Sequence, residues 1–210
     1  PSRPYLQLGV SSNVTYTYDE SRKEGERITS VWVNDKPIDP KGTYSVGSGS
    51  FLIAGRDNFT ELAKGSKPVD SGKINLSAWV DWIKARKTLK PDFAKRAVSL
   101  TTSLHEGTSR DTTFTLGKPA DKAVAPDTVD FTSKDAVVNT IMKAQIVQDD
   151  KTVDVATTPV KDGWSSVSVK VPTAKGLVSG EATTVFTFPD SGTTVRFAAK
   201  LSVPSGDHPG

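Results

Sequence analysis

The chain has 210 residues, enough for two modest domains or one large all-β domain. A hydrophobic fraction of 35% can supply a core, and a net charge of +3 with no basic block argues against nucleic acid as a partner. There is no cysteine, which excludes disulfides and thiolate metal sites, and no apolar run approaches the roughly 18 residues of a membrane span.

The chain opens Pro1-Ser2-Arg3-Pro4, with neither an initiator Met nor a signal peptide, and reads as an excised or processed piece. Residues 5–10 and Val14-Thr15-Tyr16-Thr17-Tyr18 are predicted strands. Polar turn residues follow from Asp19 to Gly25. Ile28, Val31 and Val33 mark a strand over 27–33, and Asn34-Asp35-Lys36-Pro37 a turn. Another strand is predicted from Tyr44 toward Phe51. The period then changes. Phe59, Leu62 and Ala63 predict a short helix closed by Gly65. Leu76, Trp79, Val80 and Ile83 fall on one face of a second helix, with Asn75 or Ser77 as its cap, basic residues at its end and Pro91 beyond.

From about residue 98 strands and turns dominate: 98–102, 112–116, 128–132, 137–147, 153–157, 165–171, 182–188 and 193–203. The run 137–147 also suits a helix. Turn signals such as Asp162-Gly163 and Asp190-Ser191-Gly192 separate them, and short Thr- and Val-rich strands at this spacing predict an immunoglobulin-like sandwich. The expected organisation is an α+β partial domain over 1–100, an all-β immunoglobulin-like sandwich over 101–203, and a disordered tail over 204–210. Trp79 and Trp82 are expected to pack, and Trp164 to sit in the sandwich core.

The sequence is poor in catalytic chemistry. Its two histidines, His105 and His208, form no metal-ligand cluster, and there is no GxSxG or phosphate-binding glycine loop. One segment has the character of a site: Phe51-Leu52-Ile53-Ala54-Gly55-Arg56-Asp57-Asn58-Phe59. A turn at Gly55 can bring a ring and a carboxylate to one side. The ring stacks on a planar ligand and the carboxylate accepts two hydrogen bonds from a vicinal diol, which together suit a nucleoside. The same residues also fit a plainer arrangement, with Phe51 in a core and Asp57 capping a helix.

Four stretches, in order and spacing, resemble the C-terminal, nucleoside-recognition domain of the secreted bacterial 5'-nucleotidase family. They are Tyr5-Leu6-Gln7-Leu8-Gly9, the segment from Thr15-Tyr16-Thr17-Tyr18-Asp19 through Ser21-Arg22 and Gly25 to Ile28, Tyr44-Ser45-Val46 with Phe51-Leu52, and the helix with Ser77, Val80 and Ile83. The resemblance covers about the first hundred residues. It implies that Phe51 is one of two rings clamping a base, that Asp57 binds the ribose, and that Gly9 lies near the base edge. Gly55-Arg56-Asp57-Asn58 stands where the family has Gly-Gly-Asp-Gly. Arg56 either crowds the pocket, offers a cation to a phosphate, or points outward.

The second ring, the phosphate-contacting arginines and a metallophosphoesterase domain holding divalent metal ions are expected upstream in the same parent polypeptide, with no cofactor in this portion. The partners implied are a nucleoside or nucleotide and that upstream domain, and the location implied is secreted or cell-wall associated. A rival expectation is a non-catalytic structural or adhesive surface fragment with a decayed nucleoside site.

Overall fold

The structure, a computed structural model, describes residues 8–104, 111–119, 127–131, 133–170 and 176–202. The predicted tail, both histidines and residues 5–7 of the first predicted strand lie outside these. By backbone contact the chain divides into two compact units, Pro1–Ile38 with Asp92–Gly210, and Asp39–Pro91.

The first unit is β-structure throughout its regular elements. Strands β1 (Val14–Tyr18), β2 (Ile28–Val33) and the two-residue β3 (Lys36–Pro37) form an antiparallel ribbon. Asn34 and Asp35 turn its tip with φ of 52° and 60°, the left-handed pair of a type I′ hairpin, so the expected turn is confined to two residues. Strands β4 (Ala97–Leu104), β5 (Thr112–Gly117) and β8 (Trp164–Val169) extend the sheet to six strands in the order β3-β2-β1-β4-β5-β8. The second sheet has the order β10-β9-β6-β7, from β6 (Ile141–Gln148), β7 (Lys151–Pro159), β9 (Gly180–Phe188) and β10 (Thr193–Leu201).

One hydrophobic core joins the two sheets. It draws Val98 and Leu100 from β4, Phe114 and Leu116 from β5, Val167 and Val169 from β8, and Met142, Ala144, Ile146, Phe186, Phe188 and Val195 from the facing sheet. Strand β6 shows why: Met142, Ala144 and Ile146 are alternate residues, so period-two apolar side chains face one way. That alternation makes 141–148 a strand where the sequence also allowed a helix. The Phe114 ring lies 5.0 Å from Phe186 and 5.5 Å from Phe197, centre to centre.

Strand β4 serves two partners. Its start pairs in parallel with β1, Tyr16 opposite Ala97 and Tyr18 opposite Ser99, and its remainder pairs antiparallel with β5. The ribbon thus covers an edge that would otherwise offer unpaired backbone groups. Side chains tie it down. Trp32 is buried, Tyr18 Oη donates to Asp127 Oδ1 at 2.6 Å, Lys118 pairs with Glu20, and Arg196 lies 3.0 Å from Asp35. Gly117 ends β5 because nothing larger is admitted: a Cβ there would stand 2.4 Å from the Gly163 carbonyl oxygen.

Two expectations for this unit are corrected. Residues 128–131 are not a strand. Val129 N–H donates to Gly163, Thr128 Oγ1 to the Asp130 carbonyl, and Asp130 accepts from Asn139, so the segment bonds as a loop rather than a ladder. Trp164 is half-buried at the start of β8, outside the core.

The second unit holds short helices. They are α1 (Ser50–Ile53), 3-10 turns over Arg56–Asn58 and Thr60–Lys64, and α2 (Asn75–Arg86). No strand forms between Tyr44 and Phe51. The predicted helix at Phe59–Ala63 is the 3-10 turn, and Gly65 leaves it in an extended conformation, φ −61°. Helix α2 appears where its apolar period placed it, but Ile74 occupies the cap position and no side chain caps it. None of residues 39–91 is buried. Trp79 and Trp82, expected to pack, are 64% and 43% exposed.

Candidate functional site

Phe51, Gly55, Arg56 and Asp57 all fall in the second unit, within one tight stretch. Phe51 lies on α1, the single turn that follows the extended Gly49. Its ring is 56% exposed, so it is not a core residue. The chain then reverses at Gly55, left-handed with φ 76°, where a Cβ would stand 3.1 Å from that of Ala63. The glycine is demanded twice over, by backbone handedness and by the close approach of the next turn.

Beyond it, Asp57 (φ 53°) and Asn58 (φ 67°) are also left-handed. Asn and Asp tolerate this region best among residues with a side chain, because their short polar groups bond locally. Arg56 is not among the positive-φ residues. The arginine therefore imposes no backbone strain where a glycine was expected, and its side chain is exposed. Asp57 is exposed and lies inside the first 3-10 turn, and the cap positions of the two turns are Gly55 and Phe59 rather than Asp57.

Gly9 lies in the other unit, on an open cavity of about 330 Å³ shared with Val10, Asp92, Lys95, Arg96 and Phe131. Sequence reasoning missed the surroundings of this cavity. Lys95 is buried, donates from Nζ to the Thr128 carbonyl at 2.6 Å, and sits 5.0 Å over the Phe131 ring. Burial pushes its ammonium down to about 8, against the raising pull of Asp130 and Asp127. Arg96 donates to the Val10 carbonyl and to Asp92, at 3.0 and 2.6 Å. No local pattern marks Lys95, since its partner Thr128 and the Phe131 ring come from distant parts of the chain.

Among the described residues no group of three or more His, Asp or Glu stands close enough to hold a metal ion. The exposed ring and carboxylate around Gly55 can present a stacking surface and a hydrogen-bond acceptor, but among the described residues they have no paired base or nucleophile beside them.

Residues 1–64 match the family model for the 5'-nucleotidase, C-terminal domain. The chain is 35% identical over 97 residues to a 5'-nucleotidase-related protein of Glossina morsitans morsitans, covering 42% of this chain and 17% of that protein. It is 28% identical over 81 residues to an apyrase of Tabanus yao, covering 35% of this chain and 15% of that one. The chain thus spans only a small part of the curated relatives it matches. The family model matched is that of the C-terminal domain, distinct from the metal-bearing catalytic domain. Over residues 1–64 the chain is similar to the C-terminal domain of 5'-nucleotidases.

Proposed function

We propose that the stretch around Gly55 is the nucleoside-recognition element of a 5'-nucleotidase-like phosphoester hydrolase acting in nucleotide catabolism. Phe51 stacks on the base and Asp57 accepts hydrogen bonds from the ribose diol. Arg56 faces the phosphate. Hydrolysis itself belongs to a metallophosphoesterase domain of the same polypeptide, whose divalent metal ions would supply the activated water and polarise the phosphoryl group. What carries the reading is the exposed Phe51 ring beside a left-handed turn, inside the family match.

The strand order supports an immunoglobulin-like reading of the rest. Counted from β4, the first, second and fifth strands share one sheet, and the other sheet runs seventh, sixth, third, fourth. This differs from a constant-type immunoglobulin domain in the attachment of the fourth strand. We assign the sandwich a spacer role in an exported protein. A rival reading, a surface fragment with a decayed site, draws on Arg56 standing where the family has a glycine. The unstrained backbone there withdraws that support.

In the complete enzyme, Phe51→Ala should raise KM more than it lowers kcat, because it removes binding and not chemistry. Stacking of one base on one ring is worth about 1–3 kcal/mol, so a KM increase of about fivefold or more is expected. An unchanged KM would sink the assignment.

A further inference from the structure

Lys95 and Asn139 lie in the first unit, 6% and 2% exposed, and the function proposed above uses neither. Two separate hydrogen-bonded routes join them. On one, Lys95 Nζ donates to the Thr128 carbonyl at 2.6 Å, and Asn139 Nδ2 donates to the next carbonyl, that of Val129, at 3.3 Å. On the other, Lys95 N–H donates to Thr193 Oγ1 at 2.9 Å, Thr193 Oγ1 and Ser191 Oγ share a hydrogen bond of 2.8 Å, and Ser191 N–H donates to Asn139 Oδ1 at 3.2 Å. Routes that close on the same pair hold both side chains in one compartment. The Asp130 carboxylate serves both. Its Oδ1 accepts from Asn139 Nδ2 at 2.7 Å and from Asn139 N–H at 2.9 Å, and its charge acts on the Lys95 ammonium, with that of Asp127 second. Phe131 shields the amine, its ring centre 5.0 Å from Nζ, and Phe93 meets that ring edge-on at 6.2 Å.

We propose that Lys95 Nζ and Asn139 Cγ join as an intramolecular amide, with ammonia released. The flexible four-carbon stem of the lysine lets Nζ leave the Thr128 carbonyl for Cγ. The reaction needs a neutral amine, an activated carbonyl and a proton carrier, and each is present. Burial pushes the Lys95 ammonium down to about 8, so roughly a tenth is neutral amine at pH 7. Ser191 N–H is aimed at Oδ1, where negative charge grows as Nζ attacks Cγ. Asp130 takes a proton from Nζ and gives it to Nδ2. The Cγ–Nδ2 bond then breaks and the Nζ–Cγ bond stays, with no change of oxidation state. Asn139 is the electrophile because its amide is held at both ends, Oδ1 by a donor and Nδ2 by an acceptor. Lys95 stands just ahead of β4 and Asn139 just ahead of β6, so the bond would fasten one sheet to the other. It would do so without thiols, in a chain that has no cysteine.

Intact-mass spectrometry of the 210-residue chain tests this. Chain purified in urea and folded by dilution should start at its sequence mass, 22.5 kDa, and lose about 17 Da on standing, the mass of one ammonia. Chain kept in urea should lose nothing. Proteolysis of the folded product should release one branched peptide that joins the Lys95 and Asn139 segments, a readout that needs no variant. Lys95→Arg should keep the full mass. Asp130→Ala, which leaves both partners in place, should react about a hundredfold more slowly. Folded wild type that stays at full mass would overturn the proposal. So would a loss of about 17 Da that survives Lys95→Arg, which marks a succinimide at Asn139, or a branch at Asp127 or Asp130 formed with loss of water. Freshly folded chain still carries the amine, and it is in that state that Lys95 titrates.

Discussion

The two units of this chain use similar residues and reach opposite ends. In the sandwich, Phe186 and Phe188 are fully buried, and alternate positions such as Met142, Ala144 and Ile146 face the shared core. In Asp39–Pro91, Trp79, Phe51, Ile74 and Leu76 are as apolar, yet each is more than half exposed. Period alone decides whether a segment is a helix or a strand. Burial needs a second surface of matching shape, which the facing sheet supplies in one unit. The other unit has none within its own residues.

The contrast should be largest in mutational cost. Phe186→Ala removes a ring at the centre of the shared core and should destabilise the chain by about 3–5 kcal/mol. Trp79→Ala, in the isolated chain, should change stability by less than about 0.5 kcal/mol. Urea unfolding followed by circular dichroism measures both, and a Trp79→Ala loss approaching that of Phe186→Ala would erase the distinction between the units.

A smaller effect tests whether the ribbon β1–β3 is integral to the sandwich. Tyr18→Phe removes the hydrogen bond to Asp127, whose carboxylate is buried and whose Oδ2 has no hydrogen-bond partner among the described residues, with Lys118 Nζ 3.8 Å away. The loss should be about 1–3 kcal/mol. A neutral result in the same unfolding assay would mean that the ribbon adds little to the unit.

The smallest effect is one of slope. Below about pH 8 Lys95 is charged in both the folded and the unfolded chain, and its burial cost is fully present. Between about 8 and its ordinary value of 10.5, the unfolded chain holds a proton that the folded chain has released. Stability attributable to Lys95 should therefore rise with pH across that window. Thermal melts of the wild type and Lys95→Met should diverge there, with the variant the flatter. Parallel curves would place the ammonium in a wetter setting than its burial implies.

Legibility from sequence followed the range of the interactions. Val14–Tyr18 and Asn75–Arg86 were readable because their signals are local periods. The turn at Asp162-Gly163 was readable because left-handed backbone selects its own residues. The parallel pairing of β1 with β4 was not, since nothing in either strand names a partner some eighty residues away. The loop at 128–131 was misread for the same reason, as its partners Gly163 and Asn139 are remote. Phe51, Gly55 and Asp57 are marked in the sequence by a ring, a glycine turn and a carboxylate, the resemblance adds their roles, and the backbone shows which positions carry the left-handed turn. The residues around Gly9 escaped because only folding brings Lys95 and Phe131 together.

The parallel ladder between β1 and β4 also changes what a cut in the backbone would do. The chain between Pro37 and Asp92 is one long crossover, leaving the sheet at β3 and returning at β4 with β2 and β1 between them. A protease that nicks the exposed crossover severs the polypeptide without releasing either part, because β1 remains laced to β4 and Trp32 remains buried. The nicked protein would travel as a single particle under native conditions and fall into two only when denatured. Covalent continuity and structural continuity are separate properties of this molecule.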